Sequence, residues 1–198
     1  VKLEAALDAF AVNLDGLVCA DIGASTGGFT DLMLKRGASK IYAIDSGSNQ
    51  LAEVLRNNNR VISLENTDIR DINNSDIPGV DFLSVDVSFI SLSKIICVLY
   101  KVLKDDSFGV ILIKPQFEAG PGVVNKKGVI KNPKIHYKTL IDVYNYTVTT
   151  GFAFIGLILS PITGRDGNRE FLGLIRKAEA EKGLTKDSFS RLAESLLK

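Results

Sequence analysis

The chain has 198 residues and 21.5 kDa, and its 24 Lys and Arg against 23 Asp and Glu leave a formal net charge of +1. Hydrophobic residues make up 45% and charged residues 24%, which fits one folded α/β domain and not a disordered chain. The longest apolar run, residues 152–159, is too short to cross a bilayer and carries Gly156, so no stable membrane insertion is expected.

Residues 1–10 place Leu3, Leu7 and Phe10 on one helical face. A buried-strand run at 17–22 ends at Gly23, and 29–36 reads as a helix stopped by Gly37. Strands at 40–45 and 60–64 flank a helix at 50–57, and a fourth strand at 80–87 precedes a helix at 92–102. The fifth strand is expected at 110–114. Residues 115–133 hold three glycines and three prolines with no hydrophobic period, the pattern of a long functional loop. A helix at 133–149, strands at 152–159 and 171–175 and an amphipathic helix at 185–197 complete the chain. Strand–helix alternation predicts a Rossmann-like α/β fold, a mainly parallel seven-stranded sheet with helices on both faces. Ligands of such sheets bind beyond the carboxyl ends of the strands.

The candidate chemistry falls at those ends. Asp21, Gly23, Ala24, Ser25, Thr26, Gly27, Gly28 and Phe29 form a glycine loop between the first strand and its helix. Its spacing departs from the G-x-G-x-x-G dinucleotide pattern, and a structural turn is the alternative. Asp45 ends the second strand, Asp68 follows the third and Asp86 ends the fourth. Asp45 suits the hydroxyls of a ribose and Asp68 an adenine amino group, unless the two only cap turns. A ring of acids fits a cationic nucleoside best, which points to S-adenosylmethionine.

A second constellation joins Asp86 to Lys114, before Pro115, and to Glu170, ahead of an apolar strand. A lysine at the buried end of a central strand needs a carboxylate neighbour or a task. The group can activate a hydroxyl, or it closes the sheet as a structural ion pair. Two cysteines, Cys19 and Cys97, and the single His136 are too few for a disulfide framework or a His/Cys metal site. No charged leader with an apolar run and cleavage site opens the chain, so the reducing cytoplasm is the expected compartment.

The near-zero charge hides opposed regions. Residues 41–90 carry three basic and eight acidic side chains, and residues 114–138 carry six lysines and one glutamate. RNA affinity comes from clustered cations, so the second region is the candidate RNA-facing segment. Lys126, Lys127 and Lys131, with Arg165 and Arg169, are the expected RNA contacts.

Lys2-Leu3, Ala6-Leu7-Asp8, residues 21–31, 42–45, 86–92 and 114–118, Ser160-Pro161 and residues 167–171 together resemble the methyltransferase domain of the TlyA family. These are the hemolysin-like rRNA 2'-O-methyltransferases related to FtsJ. The resemblance implies bound S-adenosylmethionine, ribosomal RNA or ribosomal subunits as partner, cytidine as the target, and no metal. It also implies a Lys-Asp-Lys-Glu tetrad at Lys2, Asp86, Lys114 and Glu170. The family joins this domain to a preceding S4-type RNA-binding domain, so residues 1–198 are expected to be a fragment. Lys2 then stands at a free end, where side chains are poorly held. Two other classes remain open: a methyltransferase acting on a small molecule or protein, and a membrane-active hemolysin. The oligomeric state is not legible.

Overall fold

The computed structural model describes residues 1–72, 76–120, 122–125, 128–164 and 167–198. Seven strands form one sheet: β1 (Val18–Ile22), β2 (Lys40–Ile44), β3 (Val61–Leu64), β4 (Val80–Val85), β5 (Leu103–Ile113), β6 (Ala153–Leu159) and β7 (Phe171–Arg176). Their order is β3-β2-β1-β4-β5-β7-β6. Pairing is parallel from β3 through β5, and β7 runs antiparallel to both of its neighbours.

Helices α1 (Lys2–Ala9), α2 (Gly28–Lys35) and α3 (Glu53–Arg56) lie on one face, and α4 (Ile96–Val102), α6 (Pro133–Thr150) and α7 (Lys186–Leu196) on the other. The strands feed both faces by alternation. Val110 and Leu112 of β5 join Leu3, Leu7 and Met33, whereas Ile111 and Ile113 join Leu99, Leu140 and Phe189. Each fully buried Phe or Leu contributes about 1.5–3 kcal/mol, so both faces are strongly held.

Two expected boundaries move. β5 begins at Leu103, because Lys104, Asp105, Asp106 and Ser107 are absorbed as an irregularity between the pairs Val80–Leu103 and Phe82–Phe108. Asp106 adopts φ +60° there. The expected helix at 50–57 shrinks to Glu53–Arg56, since the Glu65 carboxylate accepts from the amides of Gln50 (2.7 Å) and Leu51 (3.2 Å). The expected loop at 115–133 also contains a short helix, α5 (Pro115–Glu118), that starts directly at Lys114.

Candidate active site

The glycine loop crosses the ends of β1 and β4. Gly23 has φ +82°, and a Cβ there would lie 2.3 Å from the Asp86 carbonyl oxygen, so only glycine fits. Gly27 caps α2 in the left-handed region, and a Cβ at Gly28 would meet nothing within 4 Å, which leaves the backbone open to a ligand.

Asp21 lies beneath this loop with no exposed surface. Its carboxylate accepts from Thr30 Oγ1 (2.7 Å) and Ser84 Oγ (3.1 Å). Burial, reinforced by the charge of Asp86, pushes its pKa up to about 6 against the hydroxyl bonds that lower it. Asp45 braces the neighbouring loop, accepting from the amides of Ser25 and Gly47 at 2.7 Å each. Asp68 caps the turn Ile69–Asp71 and is held by Arg70 Nε at 2.9 and 3.1 Å, which keeps its carboxyl below the usual range. Asp68 therefore caps a turn, the alternative reading, and also lines the cleft.

A cleft of about 560 Å³ opens between these groups, lined by Gly23, Ser25, Asp45, Asp68, Asp86 and Phe89 among others. Its apolar floor of Ile22, Ile44 and Ile69 suits a purine ring, its carboxylates suit hydroxyls and a cation, and the cation in its lining, Arg70, is paired with Asp68. The residues present fit S-adenosylmethionine, which Asp45 and the Gly23–Gly28 backbone would hold.

The expected tetrad forms two ion pairs. Lys114 Nζ sits 2.6 Å from Asp86 Oδ1 and donates to Ser88 Oγ at 2.9 Å. Lys2 Nζ sits 2.6 Å from Glu170 Oε2. Lys114 and Glu170 are both buried and immediately follow and precede the final register pair Ile113–Phe171. The reversed direction of β7 brings Glu170 to the edge where β4 and β5 end. Lys2 opens α1 and is anchored by Glu170, so the expected loose end is corrected. Glu170 is packed so closely that a Cβ on Gly164 would lie 2.0 Å from its Oε1.

Ser88 was not assigned a role from sequence; its signal was its place two residues beyond Asp86 in the same strand-end loop. Of the expected RNA contacts, Lys126, Lys127 and Arg165 lie outside the described residues. Lys131 is exposed one residue before the helix cap Asn132, and Arg169 is exposed beside Glu170. Asn168 ties the two segments together: it accepts from the Ile130 amide (3.1 Å) and donates to the Gly128 carbonyl (3.0 Å). Among the described residues no His/Cys/Asp/Glu group could hold a metal, and no helix is long and apolar enough to cross a membrane.

A sheet of this order with one reversed strand, and an acid-lined cleft at the carboxyl ends of β1, β2 and β4, define a Rossmann-like methyltransferase. The chain belongs to the FtsJ-like methyltransferase family, whose model matches residues 1–177, and within it to the TlyA group. S-adenosylmethionine is the methyl donor that this assignment brings. Hemolysin A of Brachyspira hyodysenteriae is 46% identical over 175 residues, covering 86% of this chain and 72% of that protein. The 16S/23S rRNA (cytidine-2'-O)-methyltransferase TlyA of Mycobacterium tuberculosis is 40% identical over 188 residues, covering 92% of this chain and 70% of its own. A solved structure from Streptococcus thermophilus that carries a hemolysin name superimposes with a TM-score of 0.93 at 42% identity, over 98% of this chain and 71% of that one.

Proposed function

We propose that the chain methylates a ribose 2'-hydroxyl of ribosomal RNA, with cytidine as the target nucleotide and the cytoplasm as its compartment. The observation that carries this reading is the juxtaposition of the Lys114–Asp86 and Lys2–Glu170 pairs at one sheet edge beside the acid-lined cleft. The TlyA relative named for cytidine-2'-O-methylation supports the substrate class.

Bound S-adenosylmethionine supplies an electrophilic methyl group. The protein's task is to present a hydroxyl oxygen to it and to dispose of one proton. Lys114 reaches the acceptor: two of its hydrogen-bonding directions go to Asp86 and Ser88, and the third remains for the 2'-oxygen. Its N–H steadies the oxygen as the hydroxyl proton leaves to solvent and the oxygen attacks, and Asp86 holds Lys114 in place. Lys2 and Glu170 fix the hydroxyl from the β7 side. Lys131 and Arg169, with Lys126, Lys127 and Arg165, meet the RNA backbone.

Lys114→Ala should lower methyl transfer to ribosomal subunits by at least about a hundredfold. Its calorimetric affinity for S-adenosylmethionine should stay within about threefold, because the floor and Asp45 are untouched. Wild-type turnover in that variant would overturn the assignment of Lys114.

A further inference from the structure

Glu118 takes no part in the chemistry just described, yet three donors converge on its carboxylate. Its half-buried carboxylate accepts from Ser91 Oγ (2.6 Å), the Leu92 amide (2.8 Å) and Tyr146 Oη (3.2 Å), all neutral groups. Ser91 and Leu92 belong to the loop that begins at Asp86, and Tyr146 belongs to α6. Glu118 stands one helical turn beyond Lys114 on α5. That turn therefore grips the loop twice: Lys114 holds its start at Asp86 and Ser88, and Glu118 holds its end at Ser91 and Leu92.

The backbone between the two grips is forced. Phe89 adopts φ +65° and is 85% exposed over the cleft, an arrangement a bulky residue does not take without constraint. Its ring rests on Phe117, with centroids 5.2 Å apart, and Phe117 lies on the same turn between the two gripping residues. Burial raises the Glu118 carboxyl, and the three donors oppose that rise. Among the described residues no cation pairs with this carboxylate, so its three bonds fix geometry and balance no charge.

The geometry points to Glu118 as a positioning residue that holds the 86–92 loop in its forced conformation, so that Asp86 and Ser88 stay on Lys114. In its activity arm the inference rests on the proposed reaction. Glutamine preserves the grip, because its amide oxygen accepts from Leu92 while its NH₂ donates to the hydroxyls of Ser91 and Tyr146, which can also accept. Leucine removes it.

The test compares Glu118→Leu with Glu118→Gln. In the leucine variant, amide hydrogen exchange over residues 88–92 should accelerate about tenfold or more, and kcat for methyl transfer to ribosomal subunits should fall by a factor on the order of 10–100. KM should move by no more than about threefold. The glutamine variant should restore both exchange and kcat. Wild-type kcat in the leucine variant overturns the inference, as does a slowed variant with unchanged exchange. A glutamine variant as slow as leucine also overturns it, since the charge would then matter and not the grip. If the leucine variant does not fold, the Ser91→Ala/Tyr146→Phe pair removes two of the three bonds; it should show faster exchange and a several-fold loss of kcat, and wild-type behaviour overturns the inference. Exchange needs no acceptor RNA, so a wild-type protein that fails to methylate ribosomal subunits counts against the proposed reaction while the grip is still tested.

Discussion

Asp21 carries the strongest electrostatic tension of any acid in the cofactor region. It is fully buried, bonded to the hydroxyls of Thr30 and Ser84 and to the Thr30 amide, and its pKa stands at about 6 against an ordinary 3.8. The native state therefore holds this proton more tightly than the unfolded chain does. Its contribution to stability is complete below about pH 4 and is lost as pH rises through 6, at a cost on the order of 3 kcal/mol for the ionised form. Asp21→Asn should raise stability by about 1–3 kcal/mol at pH 8 and by much less at pH 4, measured by urea denaturation. It should also weaken S-adenosylmethionine binding, because the carboxylate favours a cation above the loop. A variant less stable than wild type at pH 8 would refute this account. At this scale the sequence was most legible where a single side chain must stand at a strand end. Asp86, Lys114 and the glycine loop could be read because Pro115 and Gly23 mark where their strands stop. Ser88 and Glu118 could not be assigned roles, since their partners are 26 and 27 residues away and nothing local marks the pairing.

Among the elements, α6 joins the two halves of the site. Asn132 caps it by accepting from the Lys134 amide, and Gly151 closes it in the left-handed region. Its first turn buries His136 edge-on against Phe171 of β7, with ring centroids 6.2 Å apart and both ring nitrogens unbonded among the described residues. Burial first, and then the charge of Arg169, lower its pKa and keep the ring neutral. The unfolded chain takes up that proton near pH 6.5 and the native protein resists it, so stability present above 6.5 is lost as pH falls. His136→Leu should gain melting temperature over wild type at pH 5.5 and gain little at pH 7.5. Parallel curves would remove this role. Elements with a strong period, such as α6 and β1, were legible from the pattern alone. β5 was legible only over its apolar end at 110–114, because the polar run from Lys104 to Ser107 shows no strand alternation while the strand absorbs it in an irregular register. The direction of β7 was equally hidden, since alternation of side chains is the same whichever way a strand runs.

For the whole molecule, a net charge of +1 gives no hint of RNA, but its distribution does. The acidic stretch at 41–90 contains the cleft's Asp45, Asp68 and Asp86, and the lysine-rich stretch at 114–138 adjoins the tetrad. Asn168 fixes the end of the lysine-rich loop to the segment that carries Glu170. Lys131→Glu should weaken RNA binding and reduce the slope of log affinity against log salt by about one or more, as measured by filter binding across a salt series. An unchanged slope would exclude this residue from the RNA surface. The long reach of one contact has a further consequence, in the order of synthesis. The cofactor cleft is encoded wholly within residues 22–90, whereas the Lys2–Glu170 pair joins positions 168 apart. On the ribosome, every side chain that lines the donor pocket has been made long before Glu170 is added. A nascent chain that stops short of Glu170 cannot carry the Lys2–Glu170 pair, so the proposed acceptor edge is completed only after the whole donor cleft has been made.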